Sequence, residues 1–108
     1  MKRIALLAAI TLALPLTAQQ KFSVVEATIP QMQEALRSGR VTSRELVLQS
    51  LVRIATYEDR LNAIITVNPK ALEEADARDA ERKAGKVRGP LHGIPIAVKD
   101  NVHTTDMP

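Results

Sequence analysis

The sequence predicts an α/β chain: two opening helices, then strand, helix and strand. Three observations carry that expectation. Two capping boxes stand ahead of apolar residues at helical spacing. The hydrophobic period then collapses into a short β-branched run at 63–67, and a second run follows at 94–98. Between these runs lies a charged, alanine-rich stretch of helix length.

The chain begins with Lys2 and Arg3, followed by Ile4 to Leu14, eleven residues in which Thr11 alone is polar. Pro15 and Leu16-Thr17-Ala18 come next, ending on a small side chain. A charged start, a short apolar stretch and a small-residue cleavage site make residues 1–18 a secretory signal peptide. A membrane anchor is the competing reading, but a bilayer core asks for about 20 apolar residues. A lipid anchor would need a cysteine, and the chain has none. The expectation is an exported protein, periplasmic or secreted, with no stable membrane anchor after cleavage. Residues 19–27 form a lead, and residues 28–108 form the domain.

Thr28-x-x-Gln31 is the first capping box, with Pro30 in the first turn. Ile29, Met32, Ala35 and Leu36 fall on one face, and Gly39 stands where a C-terminal cap belongs. Thr42-x-x-Glu45 opens the second helix, whose apolar stripe is Leu48, Leu51, Val52 and Ala55, widened by Val47 and Ile54. These two helices are expected to form a hairpin. Ala63-Ile64-Ile65-Thr66-Val67 reads as a buried strand. Asn68 as cap and Pro69 at the first position start a third helix, which ends at Gly85. Its pairs Glu74–Arg78 and Asp79–Lys83 are spaced to face solvent, and Ala77, Ala80 and Ala84 make its thin apolar side. Ile94 to Val98 is the second buried strand, with Pro95 near its start. A right-handed parallel βαβ unit is the natural connection. Two strands alone do not make an independent sheet.

Composition narrows the function. Of 108 residues, 15 are basic and 12 acidic, and Lys2 and Arg3 account for two of the three excess positive charges. The mature chain is nearly neutral, so it lacks the electrostatic footprint of a nucleic-acid binder. Phe22 and Tyr57 are its only aromatic residues, too few for a base-stacking platform. The absence of cysteine excludes a disulfide framework, a zinc knuckle and a thiol nucleophile.

The candidate chemistry sits at the end of the second run, where Lys99 and Asp100 emerge from residues expected to be buried. Such a lysine is either a snorkelling surface residue or a desolvated amine with a task. Asp100 either pairs with Lys99 or holds the loop that follows. His92, His103, Asp100 and Asp106 could be drawn as a metal cluster, but no His-x-x-x-His pair exists, and structural or solvated histidines account for them better. No metal and no cofactor is expected.

The segment Arg88-Gly89-Pro90-Leu91-His92-Gly93-Ile94-Pro95-Ile96-Ala97-Val98-Lys99-Asp100-Asn101 closely resembles the catalytic-lysine motif of the amidase signature family. Upstream, Val41-Thr42-Ser43-Arg44-Glu45-Leu46-Val47 resembles the opening of that family's second helix. Leu61-Asn62-Ala63 resembles the start of its first strand, and Ala71-Leu72 with Ala75 its next helix. The resemblance covers roughly residues 28–108. It implies a mixed sheet covered by helices, of which this chain carries the opening helices and first strands. It also implies amide hydrolysis by a Ser–cis-Ser–Lys triad, with Lys99 as the general base. A lysine amine holds its proton to about pH 10.4, so that role requires a desolvated site. A cis non-proline peptide costs about 3–4 kcal/mol and needs a rigid surround.

Ser23, Ser38, Ser43 and Ser50 all precede Lys99, and none lies in a glycine-rich loop. They do not match the bridging and nucleophilic serines of that pattern. The expectation is therefore an N-terminal fragment of an exported amidase, inert alone because both serines are missing. The alternative is an exported non-catalytic binding or adaptor module. A small-molecule or peptide amide is the expected substrate, and the leader argues against a cytosolic tRNA-amidotransferase component. Oligomeric state is left open.

Overall fold

The computed structural model describes residues 20–105 and Met107. The expected signal peptide over 1–18 and Asp106 lie outside the described residues. Three helices are present among them: α1, Ile29–Arg37; α2, Ser43–Leu61; and α3, Ala71–Lys83.

Both capping boxes form as the sequence predicts. Thr28 caps α1, its side chain accepting from the Gln31 N–H while the Gln31 side chain accepts from the Thr28 N–H. Thr42 and Glu45 exchange the same pair of bonds at α2. Each such cap is worth about 1 kcal/mol. Gly39 follows α1 at φ 71 and Gly85 follows α3 at φ 74, the left-handed conformation that ends a helix. Asn62 ends α2 in the same way at φ 46, a position that asparagine tolerates.

The start of α3 differs from expectation. Asn68 is not its N-cap; Lys70 is, with no side-chain bond to the helix. The Asn68 side chain instead accepts from the Lys70 N–H at 2.8 Å and donates to Glu74 at 3.1 Å. A local Asx turn therefore takes up Pro69, and the helix begins two residues later, at Ala71.

The two predicted strands and their parallel βαβ unit are absent: the described residues contain no strand. Residues 63–67 and 94–98 run as irregular backbone, with Ile65 78% and Ile96 67% exposed. The Ile64 N–H donates to the Glu58 carboxylate, where a ladder would offer a carbonyl. A strand exists only through the hydrogen bonds of a neighbour. Among the described residues nothing lies beside these runs to supply them.

Helix packing also departs from the expected hairpin. The extensive helix–helix contact joins α2 to α3. The core gathers Ala35 and Leu36 of α1, Val41, Leu46 of α2, and Ile94, with Phe22, Val24 and Met32 against it. Leu48, Val52 and Ala55 of the predicted stripe are exposed, as is Ile29. On α3, Ala75 is buried while Ala77, Ala80 and Ala84 face out. Periodicity identified the helices and the buried face of α1, where Ala35 and Leu36 enter the core, but on α2 and α3 the buried face lies to one side of the predicted one.

The lead segment is tied down by one side chain. The Gln49 amide accepts from the Val24 N–H at 3.0 Å and donates to the Phe22 carbonyl at 3.0 Å. This seats Phe22 and Val24 on the core.

Candidate functional site

The residues ahead of Lys99 are held by three helices. The Gln33 amide of α1 donates to the Pro90 carbonyl at 2.7 Å. From α3, the Arg82 guanidinium donates to the His92 carbonyl at 2.9 Å. Gly93 lies against the N-terminus of α2, where a Cβ would stand 2.0 Å from Ser43 Oγ. Its φ of 81 also favours glycine.

His92 is the centre of this arrangement, with its side chain fully enclosed. Its Nδ1 accepts from the Arg88 N–H at 3.3 Å, and Nε2 lies 2.9 Å from the Arg78 carbonyl. An Nε2–H pointing at the Arg78 carbonyl is the tautomer that suits both partners. Both nitrogens are engaged by the protein, so His92 serves as a structural histidine. His103 is exposed.

Beside the ring, Glu81 accepts from Arg78 and from Arg88. The Arg88 hydrogen bond holds the Glu81 carboxyl below its ordinary value, against the opposing effect of burial, and the charge of Arg78 adds to the lowering. Neither this carboxylate nor Asp79 stands out as a site residue by sequence. Asp79, expected to pair with Lys83 in solvent, instead accepts from the Ser43 N–H at 2.7 Å and the Arg44 N–H at 3.0 Å. With Thr42, it satisfies the free donors of the first turn of α2.

Lys99 and Asp100 are exposed. The desolvated setting expected at the mouth of a buried strand is absent, because the preceding run has no sheet around it. The Lys99 carbonyl accepts from the Val102 N–H at 2.8 Å, closing a turn through backbone alone. Two shallow depressions, one bounded by Phe22, Glu26 and Arg40 and the other by Val24, Leu48 and Val52, contain neither Lys99 nor His92. The described residues thus present a rigid His92–Ile94 anchor followed by an unpartnered lysine arm.

Residues 45–108 match the family model described as Amidase. The chain belongs to the amidase family. In this amidase chain, 92 residues are 40% identical to a Schizosaccharomyces pombe protein carrying an amidase name, covering 85% of this chain and 16% of that protein. Over 74 residues it is 47% identical to a glutamyl-tRNA(Gln) amidotransferase component of Rhodopirellula baltica, covering 68% of this chain and 15% of that protein. Its fold is similar to part of the peptide amidase of Stenotrophomonas maltophilia, with TM-score 0.72 and 42% identity over 74% of this chain and 17% of that enzyme. The chain therefore spans about one sixth of the length of the relatives it matches.

Proposed function

We propose that this chain is the N-terminal portion of an exported amidase that hydrolyses carboxamide C–N bonds, and that Lys99 is its general base. The match of residues 45–108, which includes the whole stretch from Arg88 to Asn101, is the observation that carries the reading. The likeness to a peptide amidase favours a peptide amide over other amides as substrate.

In the proposed enzyme, the runs at 63–67 and 94–98 enter a sheet completed by other parts of the longer protein. Pairing would cover Ile65 and Ile96 and take Lys99 out of bulk water. Desolvation disfavours the charged amine, which is the condition a lysine needs to act as a base. Lys99 would then accept the proton of a nucleophilic serine through a bridging serine in a cis peptide. The serine oxygen attacks the amide carbonyl, backbone N–H groups hold the oxyanion, and the proton passes to the departing amine. Both serines and the oxyanion donors belong to residues outside this sequence in this reading. This chain supplies the base and its mounting.

Export rests on Lys2 and Arg3, the apolar stretch to Leu14 and the small residue Ala18. One experiment addresses both parts. The full-length protein is expressed with its leader in a Gram-negative host and recovered from the periplasm. N-terminal sequencing is expected to begin at Gln19, and the protein is expected to release ammonia from a C-terminally amidated dipeptide. Lys99→Ala should lower kcat by at least about a thousandfold, the scale of losing a triad member, with the thermal transition preserved. Retained turnover in Lys99→Ala would remove the assigned role, and a folded protein without amide turnover would favour the binding module.

A further inference from the structure

The hydrogen bonds around His92 use every polar group the residue has. Its N–H donates to the Gly89 carbonyl at 3.1 Å and its carbonyl accepts from Arg82. Both ring nitrogens are bonded as well, one to the backbone of Arg88 and the other to that of Arg78. Gly93 then meets Ser43 with no room for a side chain, and Ile94 enters the core at 8% exposure. From Ile96 to Lys99 every residue is exposed. Ile94 is thus the last buried point before the lysine.

We propose that His92 is a positioning residue for Lys99, acting with Gly93 and Ile94 to set the register of residues 95–99. The physical reason is the two-residue period of an extended chain. Ile94, Ile96 and Val98 share one side of such a chain, while Pro95, Ala97 and Lys99 share the other. A slip of a single residue would exchange the two sets and carry the lysine to the wrong side. With Ile94 seated in the core, only one assignment remains. His92 fixes that seat because α3 grips it on both ring and carbonyl, and it cannot shift without breaking several bonds at once. The charged groups packed around it are Glu81, Arg78 and Arg82 of α3 and Arg88 of its own loop.

This inference rests on the proposed role of Lys99, and its test separates the two. In the full-length protein, His92→Ala is compared with His92→Gln, whose amide can still donate to the Arg78 carbonyl. The readouts are ammonia release from the amidated dipeptide and acetic-anhydride labelling of Lys99, quantified by mass spectrometry. His92→Ala is expected to lower kcat about a hundredfold, the scale of a small misplacement of a reacting group. KM should change little and Lys99 should label faster. His92→Gln should recover part of both. Arg82→Met, which frees only the His92 carbonyl, is the milder variant should His92→Ala fail to fold, with smaller changes of the same sign expected. Unchanged kcat and unchanged labelling in a folded variant would overturn the proposal even where Lys99→Ala is inactive. If Lys99→Ala stays active, the base assignment falls and the labelling rates alone decide whether His92 positions this segment.

Discussion

Glu81 receives positive charge from two arginines and lies 3.8 Å from the His92 ring. Its folded-state pKa is lowered from 4.5, first by the Arg88 hydrogen bond. Folding therefore favours the ionised carboxylate. The resulting stability is fully present above about pH 4.5 and is lost as pH falls through the lower folded value. Thermal melts of the full-length protein between pH 3 and 7, as an order-of-magnitude window, should show a decline on the acid side that Glu81→Gln flattens. An identical acid-side slope in that variant would count against the assignment. At this scale the sequence was informative about residue types and silent about partners. Lys99 stood out by position, and His92 was better accounted for as a structural or solvated histidine, of which its enclosed ring fits the first. Glu81 could not be found, because its partners come from α3 and from the loop seven residues on.

Caps were the most legible elements. Thr28 with Gln31 and Thr42 with Glu45 are local, and their bonds close within three residues. Asp79 is the non-local counterpart, reaching 36 residues back to the start of α2. Two charge-assisted bonds to backbone N–H groups tie α2 to α3 and complement the positive end of the α2 dipole. Asp79→Ala in the full-length protein should cost about 2–3 kcal/mol, against about 1 for Thr42→Ala, by chemical denaturation. Equal losses in the two variants would show that the inter-helix bonds add little. Helix positions were thus readable from spacing, as was the buried side of α1, whereas the buried sides of α2 and α3 were not. Leu48 and Val52 have the right period and stay exposed, because the stripe records every surface a helix can cover, not the surface covered by these residues alone.

At the level of the whole molecule, the described residues leave Leu61, Ile65, Ile96 and Val52 more than half exposed. Exposed apolar runs of this kind invite association. Residues 19–108 produced alone should bind a hydrophobic dye and melt without a sharp transition; a cooperative calorimetric peak would instead favour a self-sufficient module. The sequence by itself determined the three helices, the N-caps of α1 and α2 and the family, because capping boxes and motif identity are written in neighbouring residues. The tertiary structure decided which faces are buried, which carboxylates hold the His92 loop, and that 63–67 and 94–98 are not strands here. The reason is physical: a helix closes its hydrogen bonds within itself, whereas a strand must be given its partners.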